Sequence, residues 1–200
     1  SHPFEVRATD AAGNQDQTPA TRSWTVEAPP PPNCGSQQTV GVNADSWIDQ
    51  GDQSKNNGGD SILKVMAKGS SSLRALVKFN LPTAPQGCVV DTATLRLYAG
   101  GAKENRTIQA LRLDAAWTES GVTWANQPST AGTAATTSSG SGSGWREWSV
   151  AAQVQAMYSG TNHGFLIRDS DESGDAEQQY HSKEKGSDAP QLVVKFKPAP

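Results

Sequence analysis

The sequence predicts an all-β fold, a jelly-roll β-sandwich carrying one short helix. Three observations lead there. Leu73, Ala75, Val77 and Phe79 alternate with Arg74, Leu76, Lys78 and Asn80, the two-residue period of a strand with one buried and one wetter face. Strand signals of this kind recur about every dozen residues between Gln38 and Lys197, separated by turn residues. The chain of 200 residues holds 19 Gly and 12 Pro at 34% hydrophobic content, a composition of many short strands and turns rather than of disorder.

Taken in order, residues 1–27 contain two strand-like runs, Phe4–Ala8 and Arg22–Val26, around the turn-rich Asp10-Ala11-Ala12-Gly13-Asn14. A lone hairpin makes no core of its own. The proline run Pro29–Pro32 favours a semi-rigid polyproline spacer, so residues 28–33 read as a linker. Strands are expected near 38–42, 45–49, 62–67, 73–80, 92–99, 107–114, 145–149, 163–169, 178–183 and 190–197. Thr130–Gly144 is almost wholly Ser, Thr, Gly and Ala and reads as a mobile surface loop. A helix is expected from Ser149 to Tyr158, capped by Ser149 and Gly160, with Val150, Val154 and Met157 forming one buried stripe.

Several function classes fall away at this stage. A net charge of −3 argues against nucleic acid as the main partner, and no apolar run of 18 residues is present to span a membrane. The three histidines, His2, His163 and His181, sit in no nucleophile motif, and Glu119 and Glu184 lack an evident carboxylate partner, so no catalytic residue is expected. Cys34 and Cys88 read as a disulfide closing a 54-residue loop, with two reduced thiols as the alternative.

An ordered set of motifs carries a family resemblance. It comprises Asn57-Gly58-Gly59, Arg74–Phe79, Ala93–Tyr98, Trp117-Thr118-Glu119 with Val122-Thr123-Trp124, and Trp148-Ser149-Val150. It continues through His163–Arg168, Tyr180–Glu184 and Pro190–Val194. Over about 38–197 the chain resembles the disaggregatase-related DNRLRE domain. Residues 1–27 resemble the last hairpin of a bacterial immunoglobulin-like or fibronectin-type repeat. The resemblance implies a secreted or cell-surface multidomain protein, with a jelly-roll module over 34–200 similar to carbohydrate-binding modules. Some members bind acidic polysaccharides such as alginate; immunoglobulin-like domains are the implied neighbours.

Basic side chains on the strands and acids in the loops suit that ligand class. Lys78, Arg96, Tyr98, Arg112, Arg168 and Lys195 are the candidate binders of a uronate or sulfated glycan, because a guanidinium grips a carboxylate bidentately. Solvated strand faces guarded against edge pairing are the alternative. Arg74 and Glu184 are expected to form a partly buried structural ion pair. Trp117 and Trp124 read as core, and Trp47 and Trp145 as core or sugar-stacking residues. Asp169, Asp171 and Asp175 have the spacing of the first half of a calcium loop, without its final Glu. Asp49, Asp52, Asn57 and Asp60 form a looser oxygen-rich loop, and either loop could take a structural calcium or stand as a solvated turn. The expected function is non-catalytic binding of a polysaccharide, with a spacer or adhesin domain as the alternative.

Overall fold

The computed structural model describes residues 1–200, which divide into two compact units, Ser1–Pro31 and Pro32–Pro200. The first unit is an antiparallel hairpin of β1 (His2–Val6) and β2 (Ala20–Trp24), with Phe4 opposite Arg22 and His2 opposite Trp24. Asp10 closes its turn by accepting the backbone N–H groups of Ala12 and Asn14, each at 2.9 Å. Phe4, Val6, Trp24 and Val26 all remain more than half exposed.

The second unit holds ten strands and one helix. They are β3 (Gln38–Asp49), β4 (Ile62–Ala67), β5 (Leu73–Phe79), β6 (Cys88–Ala102), β7 (Thr107–Leu113), β8 (Thr130–Ser138) and β9 (Gly144–Ser149). After α1 (Ala151–Ser159) come β10 (Phe165–Asp169), β11 (Ala176–His181) and β12 (Gln191–Pro198). All pairings are antiparallel and form one hydrogen-bonded path that folds back on itself like a sandwich. The fold-back runs through β3, whose Gln38–Gly41 pair β12 and whose residues from Val42 on pair β5 with a register shift between Val42 and Ala44, and through β4, which joins β11 to β5. One layer then reads β12 and β11 along β6, with β9 on the far side; the other reads β3, β5, β10, β7 and β8.

The main core fills the space between the layers. Leu95, Leu97, Leu192, Val194 and Trp148 meet Ala75, Val77, Phe79, Phe165 and Ile167 there, joined by Val154 and Met157 of α1 and by Val150 just before it. A second cluster lies on the opposite face of the β5 layer. Ile48, Leu76, Leu111, Leu113 and Leu166 are covered there by Val122, Trp117 and Trp124. Leu76 therefore does not face water, because the segment around 115–128 caps it. Cys34 and Cys88 form a disulfide, so the reduced alternative falls.

Three expectations change. Residues 38–49 are one strand, not two. Residues 130–138 form a strand on β7 rather than a loop, because backbone pairing with Thr107–Leu113 supplies what the small side chains lack. The helix begins at Ala151 without a side-chain cap, since Ser149 is still the last residue of β9 and pairs with Thr94. No helix is long and apolar enough to cross a membrane.

Candidate functional site

Strand alternation decides which side chains leave the core. On β6, Ala93, Leu95, Leu97 and Ala99 are buried, so Arg96 and Tyr98 point away from it. The register sets Arg96 beside Glu147 of β9 and Gln191 of β12, and Tyr98 beside Trp145. Arg96 Nε donates to Glu147 Oε1 at 2.7 Å and its Nη1 to Gln191 Oε1 at 3.3 Å. The guanidinium lies 4.6 Å over the Trp145 ring. Tyr98 meets Trp145 edge-on at 5.5 Å and His181 at 4.9 Å between centroids. A shallow cavity of about 170 Å³ adjoins this patch, lined by Ile62, Gly100, Gln179 and His181. Gly100 makes room for it: a Cβ there would stand 3.2 Å from His181 Nε2. The outward face of β6 thus combines aromatic edges with a cation and several hydrogen-bonding groups.

The other candidate binders do not join this patch. Lys195 lies on β12 beside Asp91 at 3.7 Å, opposite Thr92 rather than Arg96. Lys78, Arg112 and Arg168 belong to the other layer. Arg112 has Asp114 at 3.8 Å, whereas Arg168 donates to the neutral Gln109 Oε1 at 2.9 Å and, like Lys78, has no carboxylate partner. Arg168 and Arg74 border a groove of about 280 Å³ with Gln127, Ser129 and Thr130. The six residues therefore occupy two layers and no single face. His181 is the patch member that the sequence did not suggest as a binder, although the outward series Arg96, Tyr98, Gly100 leads to it.

Arg74 does not pair with Glu184. Its Nε and Nη2 donate to the two carboxylate oxygens of Glu172 at 2.8 and 2.7 Å, and Nη1 donates to Gln127 Oε1 at 2.8 Å. The reason lies in the backbone. Glu172 O accepts Gly69 N–H at 2.8 Å and the Ser72 hydroxyl at 3.3 Å, which locks the 170–175 turn onto the segment entering β5. Trp124 then packs under the guanidinium at 4.5 Å.

Glu184 belongs to an acidic centre instead. Asp45, Glu119 and Glu184 bring ligand-capable oxygens within 4.8 Å of one another. Lys183 binds all three: its backbone N–H donates to Asp45 Oδ2 at 2.8 Å, and its ammonium contacts Glu119 Oε1 at 2.8 Å and Glu184. Asp45 is 1% exposed, and its Oδ1 has no partner. Burial, with Glu184 and Glu119 adding repulsion, pushes the Asp45 carboxyl up to about 7 against the bond from Lys183. Lys183 is raised above the usual lysine range, by its bond to Glu119 first and to Glu184 next. Burial opposes ionisation of Glu184, yet the bonds from Lys183, its own backbone and Ser182 hold it below the usual range.

The two loops read as metal candidates are closed by other partners. Asp169 is clamped through both oxygens by Arg106 at 2.8 and 2.9 Å, so Asp169, Asp171 and Asp175 do not converge. Asp49 Oδ1 accepts Gly51 N–H at 2.7 Å, and Asp60 Oδ2 accepts Trp47 Nε1 at 2.9 Å. Trp47 is itself core, at 5% exposure.

A family model for carbohydrate-binding module family 96 matches residues 36–196. The chain belongs to carbohydrate-binding module family 96. The match runs over almost the span that the motifs mark, from just before β3 into β12. No curated protein matches the chain. Membership makes carbohydrate the ligand class, and modules of this kind are generally non-catalytic.

Proposed function

We propose that this family 96 module holds an acidic polysaccharide on the outward face of β6 and β9, on behalf of a larger secreted or cell-surface protein. The observation that supports the reading is the grouping of Arg96 and Tyr98 of β6, Trp145 of β9 and His181 of β11 on one face of the sheet. Sugar rings have apolar faces that stack on aromatic side chains, and Trp145 and Tyr98 offer such surface. Arg96 supplies charge. Its pair with Glu147 is a surface pair, 29% and 53% exposed, and such pairs contribute only about 0–1 kcal/mol. A uronate carboxylate or a sulfate can take the place of Glu147 at little cost and gain a bidentate partner. We read the sandwich as a jelly roll and the motifs as DNRLRE-type, and both would fit this function. So would the hairpin of residues 1–27: its exposed Phe4, Val6 and Trp24 suit the edge of an immunoglobulin-like repeat.

A second reading, a spacer or adhesin domain without small ligand, is favoured by one observation. Arg96, Arg112 and Lys195 each already have a carboxylate nearby. Affinity electrophoresis against uronate, sulfated and neutral polysaccharides, at low and high salt, separates the readings. Trp145→Ala and Arg96→Ala are each expected to weaken binding about tenfold or more, since an anchoring aromatic or Arg contributes on the order of 1–2 kcal/mol. Arg168→Ala, on the other layer, is expected to leave binding unchanged. Retention by no polysaccharide at low salt sinks the binding reading in favour of the spacer. Loss on Arg168→Ala alone moves the site to the groove beside Arg74.

A further inference from the structure

The acidic centre is more than a salt bridge. Glu119 and Glu184 share the one Lys183 ammonium, and Asp45 beside them receives only the Lys183 backbone N–H, so three carboxylates face a single cation where burial makes charge expensive. An independent observation concerns satisfaction rather than charge: Asp45 is 99% removed from solvent, yet its Oδ1 receives no hydrogen bond. A buried, unpaired carboxylate oxygen costs free energy unless something positive or donating meets it. Glu119 is held in place from outside the cluster, because Gly58 is pressed against it and a Cβ there would stand 2.4 Å from the Glu119 carbonyl oxygen.

The geometry points to a calcium site formed by Asp45, Glu119 and Glu184, in which the Lys183 ammonium holds the place of the ion until calcium displaces it. Oxygen ligands of calcium stand about 2.3–2.6 Å from the ion, so two of them span at most about 5 Å. Mutual distances within 4.8 Å meet that limit. Magnesium, at about 2.0–2.1 Å and demanding regular octahedral geometry, fits a three-carboxylate corner less well. The Lys183 side chain is 32% exposed, so its ammonium can swing to water while its backbone N–H stays on Asp45 Oδ2. The ion would join β3, the 117–124 cap and the turn after β11, three segments far apart in the chain.

The test uses the intact 200-residue chain, stripped with chelator and titrated with calcium, magnesium or sodium chloride, read by thermal melting and by tryptophan-sensitised terbium luminescence. Calcium is expected to raise the melting temperature at micromolar to millimolar levels, with magnesium weaker and sodium at equal ionic strength without effect. Glu119→Gln and Asp45→Asn are each expected to lose at least tenfold in calcium and terbium affinity. Lys183→Ala is expected to gain affinity, because the resident competitor is gone. Circular dichroism establishes that each variant folds, and Glu184→Gln replaces any that does not. Absence of a calcium response in both the wild type and Lys183→Ala overturns the proposal. So does a response that survives Glu119→Gln and Asp45→Asn, or one that sodium reproduces.

Discussion

Arg74 shows how much a single residue can reveal before its neighbours are known. Its position between Leu73 and Ala75 on a buried strand already demands an anion, because a half-buried guanidinium without one is costly. Which anion it meets depends on two turns whose approach no local pattern encodes. Glu172 reaches it because the 170–175 turn hydrogen-bonds to Gly69 and Ser72; Glu184 is turned away toward Lys183. A double-mutant cycle measures the difference. Arg74→Met with Glu172→Gln is expected to show a coupling within about 0.5–3 kcal/mol in chemical denaturation, the range for residues in one salt-bridge network. Arg74→Met with Glu184→Gln is expected to be additive within about 0.5 kcal/mol. The reverse result would place Arg74 where the sequence put it.

Among the elements, legibility follows side-chain size. The strands from Leu73 and from Ala93 announce themselves because large apolar residues alternate with polar ones, and α1 does so through Val150, Val154 and Met157. Thr130–Ser138 announces nothing. Its residues are small and mostly exposed, and it is a strand only because the edge of β7 lies open beside it. The cap over Leu76 escapes for a related reason: Trp117 and Trp124 are readable as buried, but the surface they bury is on the far side of the sheet from the main core. The helix is secured by a contact of equally long range, the Tyr158 hydroxyl donating to Pro82 O at 2.6 Å. Burial raises that hydroxyl to about 12, from the ordinary 10. The sign follows from linkage. Between roughly pH 10 and 12 the unfolded chain releases this proton and the folded one retains it, so stability from this group is whole below 10 and is lost as the pH rises toward 12. Tyr158→Phe is expected to lower stability at pH 8 through the lost bond and to make the alkaline decline shallower, as followed by urea midpoints from pH 8 to 12. An equally steep decline in the variant would assign the effect to other groups.

At the scale of the 32–200 unit, the Cys34–Cys88 bridge closes a loop of 54 residues that contains β3, β4 and β5. Those strands are where the two layers meet, since β3 pairs β12 in one and β5 in the other. Opening the loop frees the unfolded chain far more than the folded one, whose β6 start remains held by β12 through Val90 opposite Phe196 and Val89 opposite Lys197. The chain-entropy model puts the loss at about 4 kcal/mol for a loop of this length. Nothing in the patch around Arg96, Tyr98 and Trp145 rests on the bridge, because its register comes from β9 and β12. The double variant Cys34→Ala/Cys88→Ala is therefore expected to unfold at a distinctly lower denaturant midpoint, with a slope somewhat steeper because the unfolded chain without the bridge exposes more surface, and to retain polysaccharide affinity below that midpoint. Affinity lost while circular dichroism stays native would mean that the bridge shapes the binding face directly, and the division between a stapled frame and a separately registered site would be wrong.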